Sequence, residues 1–277
     1  MPTIIDGSAS ATFATPLPLG EGGTGSAVGA LSGPNGSAFA LRNALFNADF
    51  RINQRGYVSA ATLAAGAYGH DRFKAGASGG DYSFTQLASS TQVTIASGKS
   101  LIQVVEDKNV VGGSYVLSWT GTALARVGVN SATPSGTFVV SPILITGQTA
   151  GTTMSVEFNA GTLNTAQLEL GTVATPFERR PVGLELVLCQ RYFELLTYDC
   201  NSVSGAQANR AYVWPIRFAV AKRASPTIAQ SAVTVNRCTN AGVATITVGG
   251  FGQQLSNTLS NGDDFSFTGT SAAHSEL

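Results

Sequence analysis

The chain has 277 residues, with 16 Lys+Arg against 16 Asp+Glu and a charged fraction of only 12%. A balanced, charge-poor chain has no net field to draw it onto nucleic acid or anionic lipid, and neither partner is expected. No apolar run is long enough to cross a bilayer as a helix; the Ala-rich stretch from Ala60 to Ala67 is short and weakly apolar.

Gly supplies 32 residues, and Ser and Thr are abundant. Many short apolar runs separated by such residues predict an all-β chain with frequent turns. The length holds one large or two ordinary domains. Cys189, Cys200 and Cys238 cannot all pair within one chain. With no signal peptide at Met1-Pro2-Thr3-Ile4-Ile5-Asp6, the expectation is a protein made in the cytosol with reduced thiols. The cysteines are not spaced as a zinc set and only His70 and His274 stand beside them, so no metal or other cofactor is expected.

Residues 1–38 are poor in large apolar side chains and cannot bury enough to fold alone. Pro16 and Pro18 favour an extended polyproline conformation there. Two readings stand: a loose tail, or an arm that orders on a partner.

From Leu41 the composition changes. Leu45, Asn47, Asp49 and Arg51 alternate with Phe46, Phe50 and Ile52, with a slip near Ala48, which predicts an opening strand with a bulge. Strand-like runs follow at Asp81 to Leu87, Gln92 to Ala96, Leu101 to Glu106, Ser114 to Trp119, Leu124 to Val129, Thr137 to Ile145, Thr153 to Phe158 and Leu163 to Leu170. Turn signals such as Gly79-Gly80, Gly112-Gly113 and Ala160-Gly161 part them. Eight or nine strands with hairpin-length gaps predict a jelly-roll β-sandwich over residues 39–181.

Gly171 and Thr172 end the last strand, and Pro176 and Pro181 keep the following stretch extended. From Gly183 the period becomes helical, with Leu184, Leu188, Tyr192 and Leu195 on one stripe. Val213 to Ala219, Thr227 to Val235, Val243 to Val248 and Phe265 to Thr268 then read as strands. Residues 182–277 are thus predicted to be a helix with a small β-rich domain.

Several of these stretches resemble one family. Gln167-Leu168-Glu169-Leu170-Gly171, Ala174-Thr175-Pro176-Phe177-Glu178 and Glu185-Leu186-Val187-Leu188-Cys189-Gln190-Arg191-Tyr192-Phe193-Glu194 are similar, in order, to the hinge of many bacteriophage tail-fibre and receptor-binding proteins. Leu41 to Gly56 resembles the opening strand of that family, Tyr68 to Phe73 its following motif with Phe73 in place of the favoured Trp, and Trp214 to Thr227 a segment of its second domain. Pro16, Leu17, Pro18, Leu19, Gly22, Gly23, Thr24 and Gly25 fall in an element similar to one near the N-terminal shafts of phage fibres. The ending Thr270 to Leu277 is also of the family's type. The resemblance implies a fibre or spike protein of a phage or phage-like gene-transfer particle, on the tail or the head. It implies an N-terminal arm attached to other virion proteins, a sandwich like a carbohydrate-binding module, and assembly as a homo-oligomer, most often a trimer. The implied ligand is bacterial surface polysaccharide, and the implied location the particle surface. Such sandwiches often carry a structural calcium, but no Asp-rich cluster announces one here.

Two catalytic patterns fail on context. Gly20-Glu21-Gly22-Gly23-Thr24-Gly25 has dinucleotide-fingerprint spacing, yet prolines precede it and no helix signal follows. Gly76-Ala77-Ser78-Gly79-Gly80 matches a hydrolase nucleophile elbow, but a strand rather than a helix comes next. A glycosidase needs two carboxyl groups roughly 5–10 Å apart across a cleft. Asp71, Asp81, Glu106, Asp107, Glu157 and Glu169 are available, with no local pairing, and Glu106-Asp107 reads as a solvated turn. A non-enzymatic binder is expected, with a structural adaptor between virion proteins or a capsule-cutting glycosidase as alternatives.

Sugar binding on a sandwich uses an exposed aromatic ring with rigid polar partners. Tyr115 and Trp119 share a strand face with Leu117, which points to the core unless Trp119 projects at the rim. Tyr82, with Asp81 beside the Gly79-Gly80 turn, is a candidate exposed platform. Asp71 and Arg72 read either as polar sugar contacts or as an internal ion pair clipping strand to loop.

Overall fold

A computed structural model describes residues 41–201, 210–257 and 266–277. The expected attachment arm, with Pro16 to Gly25, lies outside the described residues.

The described residues are all-β apart from one α-helix and a single 3-10 turn at Asp107–Asn109. The first part contains β1 (Lys74–Ala75), β2 (Tyr82–Gln86), β3 (Thr91–Ile95), β4 (Leu101–Val105), β5 (Gly113–Trp119), β6 (Ala125–Gly128), β7 (Ser135–Val139), β8 (Ile143–Gln148), β9 (Met154–Phe158), β10 (Gly161–Leu163) and β11 (Ala166–Leu170). After it come α1 (Val182–Gln190), β12 (Phe193–Asn201), β13 (Ala211–Arg217), β14 (Thr227–Asn236), β15 (Cys238–Thr247), β16 (Gly250–Asn257) and β17 (Ser266–His274). Every pairing is antiparallel. The sheets run β1-β4-β9-β6-β7, β10-β3-β2 and β11-β5-β8, then β12-β17-β14 and β13-β16-β15.

The first sandwich closes over one core that includes Leu45, Phe50, Phe73, Val93, Leu101, Leu117, Met154, Phe158 and Leu168, all fully buried. The alternation of β5 explains its share: Tyr115, Leu117 and Trp119 point inward, as strand period dictates. Two runs expected to be continuous are split. Thr137 to Ile145 breaks at Ser141-Pro142, where Pro142 has no N–H for a ladder, and Leu163 to Leu170 breaks between Leu163 and Ala166.

The expected opening strand is not a strand. Residues 41–56 form a turn-rich clip, with Asn47 and Phe50 at φ near 55°. Polar side chains organise it: Asn47 Nδ2 donates to the carbonyls of Ile52 (2.8 Å) and Asp71 (2.9 Å), while its Oδ1 accepts from Ile52 N at 2.8 Å. The clip is tied to the sandwich by main-chain bonds from Ala44 N to Leu168 O and from Ala166 N to Ala48 O. The apparent alternation therefore reflects buried polar anchors among apolar residues, not a pleat.

The helix also departs from its predicted stripe. Leu184 and Val187 face solvent, Leu195 is an exposed residue of β12, and the inward positions are Glu185, Cys189 and Tyr192. Glu185 accepts from Asn47 N and lies 3.4 Å from Arg180 Nη1, so a buried ion pair seats the helix. Burial, opposed by the Asn47 bond and by Arg180, leaves the Glu185 carboxyl above the ordinary range.

The last part encloses smaller cores, one around Cys200, Cys238, Leu255 and Phe267 and one around Phe218, Phe251 and Ala273. A seam of charges joins it to the first sandwich. Arg55 pairs with Asp71 (3.1 Å) and Glu276 (2.9 Å), Arg72 also pairs with Glu276, and Glu106 receives Arg191 (2.9 Å) and Tyr192 Oη (2.8 Å). Tyr68 Oη and Lys74 Nζ donate to the Leu277 carbonyl oxygen. Glu106 is therefore buried rather than solvated, and only its neighbour Asp107 is exposed.

Candidate functional site

The residues expected to meet a sugar are mostly core residues. Tyr82 is 1% exposed; its ring stacks on Tyr57 with centroids 4.4 Å apart, and its hydroxyl accepts from His70 N at 2.7 Å. The glycine turn before it is present, but the ring points inward against Tyr57, His70 and Gly69. Tyr115 is buried, and its hydroxyl accepts from Val111 N at 3.2 Å. Trp119 packs edge-on against Phe158 and donates its indole N–H to Ala123 O at 2.7 Å. None of these three rings offers a face to solvent.

Asp71 and Arg72 are buried in ion pairs, each with another residue rather than with one another. Asp71 faces Arg55 and accepts from Gln54 Nε2; burial nevertheless pushes its carboxyl up to about 6. Arg72 lies 3.6 Å from the Tyr192 ring centroid and donates to Val104 O at 2.6 Å. Both are structural fasteners of the seam. Asp81 alone reaches the surface: it accepts from Leu63 N at 2.7 Å and pairs with Lys99 at 3.5 Å. The Leu63 bond, against a small burial effect and with help from Lys99, draws its carboxyl below the ordinary value.

Lys99 leads to a cleft that no local motif marks. The β9, β6 and β7 strands of the five-stranded sheet supply Glu157, Arg126 and Phe138, and the turns at 77–78, 98–100 and 159–160 close its ends around a volume of about 300 Å³. Register puts Arg126 directly opposite Glu157. The Arg126 Nε donates to Glu157 Oε2 at 2.7 Å, and Ser100 Oγ donates to Oε1 at 2.6 Å. The Arg126 guanidinium sits 4.6 Å from the centroid of the half-buried Phe138 ring. Asn159 Oδ1 accepts from Leu124 N at 2.8 Å, which fixes the amide in the wall. Gly76 beneath is needed for space: a Cβ there would lie 2.0 Å from Ser100 Oγ and 3.0 Å from Glu157 Oε1.

Chemically the cleft is a preorganised hydrogen-bonding surface. Each Glu157 oxygen accepts one bond within the protein, from Arg126 or Ser100, which holds the largely buried carboxylate rigid at the cleft's base. The two cations are already compensated, Arg126 by Glu157 and Lys99 by Asp81. Uncharged hydroxyl groups suit such a lining better than a free anion does. The lining holds one carboxylate, Glu157, and no second acid faces it across the cleft. Among the described residues no cluster of three or more His, Cys, Asp or Glu side chains could hold a metal ion. No described helix is long and apolar enough to cross a membrane. Cys189, Cys200 and Cys238 are free and buried, and burial raises all three thiols, Cys200 to about 11.

Glu157 stood among the available carboxylates in the sequence, but Arg126, Phe138, Asn159, Lys99 and Ser100 did not stand out. The legible signal was a lone charge within each of two apolar runs, Arg126 between Ala125 and Val127 and Glu157 between Val156 and Phe158. Opposite charges so placed pair across neighbouring strands.

No protein-family model and no curated protein matches the chain. Among solved structures it is similar to recombinant and wild-type discoidin II of Dictyostelium discoideum. Identity is 10% and the TM-score 0.24 in both cases, with 84% of this chain and 93% or 92% of those chains covered. A likeness that loose carries no argument about the site, so the reading of the cleft rests on its own geometry.

Proposed function

We propose that the chain is a non-enzymatic, oligomeric fibre or spike subunit of a phage or phage-like particle, and that it binds bacterial surface polysaccharide in the cleft formed by Phe138, Arg126, Glu157, Asn159 and Lys99. The observation that carries the binding role is the cleft itself: a ring, a rigid amide and a doubly anchored carboxylate in one shallow depression of a β-sandwich. The phage assignment is supported by the ordered string of fibre-like motifs from Pro16 to Leu277. In this reading residues 1–38 attach to other virion proteins, the chain is made in the bacterial cytoplasm, and the sandwich is displayed on the particle. A shallow site excludes little water and binds weakly, so several copies on one particle supply the attachment strength.

The test is pull-down of the intact oligomer by purified capsular polysaccharide, followed by a glycan array. Phe138→Ala removes the ring from a half-buried position and should weaken binding about tenfold, equivalent to about 1.4 kcal/mol, with an unchanged circular-dichroism spectrum. Retention on virion proteins but on no polysaccharide would favour the adaptor role. Shortening of the sugar chains over time would favour a glycosidase.

A further inference from the structure

We infer that the cleft recognises an acetyl group, so that its ligands are sugars carrying N-acetyl or O-acetyl substituents. This rests on the glycan-binding reading of the cleft and narrows it to one chemical class. The hydrogen-bonding capacity left over there belongs mainly to N–H donors. Asn159 Oδ1 is committed to Leu124 N at 2.8 Å, and because that partner is itself a donor the amide cannot be flipped. Its free half is therefore the amino group, and among the described residues nothing accepts from Asn159 Nδ2. Arg126 spends Nε on Glu157 at 2.7 Å and Nη1 on a long 3.4 Å contact with Gly136 O; among the described residues Nη2 has no acceptor. Lys99 Nζ donates to Ser78 O at 2.9 Å and lies 3.5 Å from Asp81, which leaves one of its N–H groups uncommitted. The one carboxylate of the lining, Glu157, is buried and already receives Arg126 and Ser100.

Charge decides which kind of acceptor fits. An incoming carboxylate has to compete with Glu157 for Arg126 and with Asp81 for Lys99, and both pairs are already in contact. Each cation has its own anion, so no net field rewards a charged ligand. A hydroxyl is neutral, but its proton asks for an acceptor of its own, and the carboxylate of the lining is engaged. A carbonyl oxygen is neutral, accepts from two donors and brings no proton to satisfy. In a neutral polysaccharide the carbonyl groups belong to acyl substituents, of which acetyl is a small and common one.

The remainder of the lining suits the other end of that substituent. Ala77 and Ala160 supply methyl-sized apolar surface, and the Phe138 ring stands 4.6 Å from the Arg126 guanidinium, so donor and apolar wall lie side by side. An acetyl group has the same make-up, with an acceptor oxygen and a methyl on one carbon. The volume of about 300 Å³ falls at the lower end of the roughly 300–1,000 Å³ usual for ligand sites. It accommodates one substituted sugar residue rather than a run of several.

The full chain is tested on an array of gluco-, galacto- and manno-configured sugars, each unmodified, N-acetylated, O-acetylated or bearing a C6 carboxylate. Acetylated members of at least one configuration should be bound about tenfold or more tighter than their own parent, from one neutral hydrogen bond and one buried methyl. Comparing the N- and O-acetylated members shows which linkage presents the group. Parents bound as tightly as their acetylated forms, or carboxylates bound best, overturn the acetyl assignment and leave the glycan role standing. Purified capsular polysaccharide is tested before and after chemical deacetylation; binding that survives undiminished also overturns it. Binding to none of these ligands sinks the assignment and the glycan role together. Asn159→Asp keeps an acceptor for Leu124 N and removes the amino donor, while Arg126→Lys keeps the charge and removes both Nη groups. General damage to the cleft lowers acetylated and parent affinities alike, whereas loss of a carbonyl partner lowers their ratio. That ratio should fall about threefold or more in at least one variant, and a ratio that survives both substitutions overturns the inference.

Discussion

His70 and Asp71 are neighbours with opposite responses to acid. Burial depresses His70 from 6.5 to about 4, so between those values the unfolded chain takes up a proton that the folded chain refuses. Stability held above pH 6.5 is therefore lost on acidification, by about 3 kcal/mol at pH 4. Asp71 is raised from 3.8 to about 6, mainly by burial; there the folded chain takes the extra proton, and a similar amount is gained as pH falls through 6 toward 4. The two contributions nearly cancel over that window. Urea denaturation should show His70→Asn gaining stability between pH 6.5 and 4 relative to wild type, by about 3 kcal/mol; parallel curves would refute the opposition. In the cleft, Asn159→Ala should weaken polysaccharide binding several-fold in equilibrium titration while leaving the melting temperature within a few degrees.

The helix α1 shows how an element can mislead a pattern reader. Leu184, Leu188, Tyr192 and Leu195 look like a core-facing stripe, yet the helix ends at Gln190 and seats itself through Glu185. Glu185 is turned inward to Arg180 and Asn47 N while Leu184 and Val187 are left exposed, so the buried carboxylate rather than a leucine stripe sets the helix's rotation. Glu185→Ala should accordingly cost about 3–5 kcal/mol in chemical denaturation, while Leu184→Lys should change stability by less than about 0.5 kcal/mol. Strands β4, β5 and β9 were readable to within a residue or two because each carries apolar residues at alternate positions, Leu101 and Val105, Tyr115, Leu117 and Trp119, and Met154, Val156 and Phe158, that fill the core. The clip at 41–56 was not, since its polar anchors Asn43, Asn47 and Asp49 are buried and mimic the polar half of a pleat. The cleft was legible only as isolated charges. Its walls come from residues 77 to 160, and only the pairing of β6 with β9 brings Arg126 to Glu157.

On the scale of the whole molecule, the proposed function places attachment strength in the assembly of copies rather than in one cleft. If each cleft binds weakly, dilution of the protein to single chains, checked by light scattering, should leave affinity for a short oligosaccharide unchanged, yet reduce retention on long polymer at least a hundredfold by surface plasmon resonance. Equal losses on both ligands would mean that the cleft itself was disturbed. The charge seam has a temporal consequence too. Arg72 is buried early in the chain, and its carboxylate, Glu276, lies 204 residues further on. At a synthesis rate of about 5–20 residues per second, roughly 10–40 s separate the appearance of the two. Throughout that interval Arg72 can already donate to the Val104 carbonyl, but its ion pair with Glu276 forms only after the distal strands have been made.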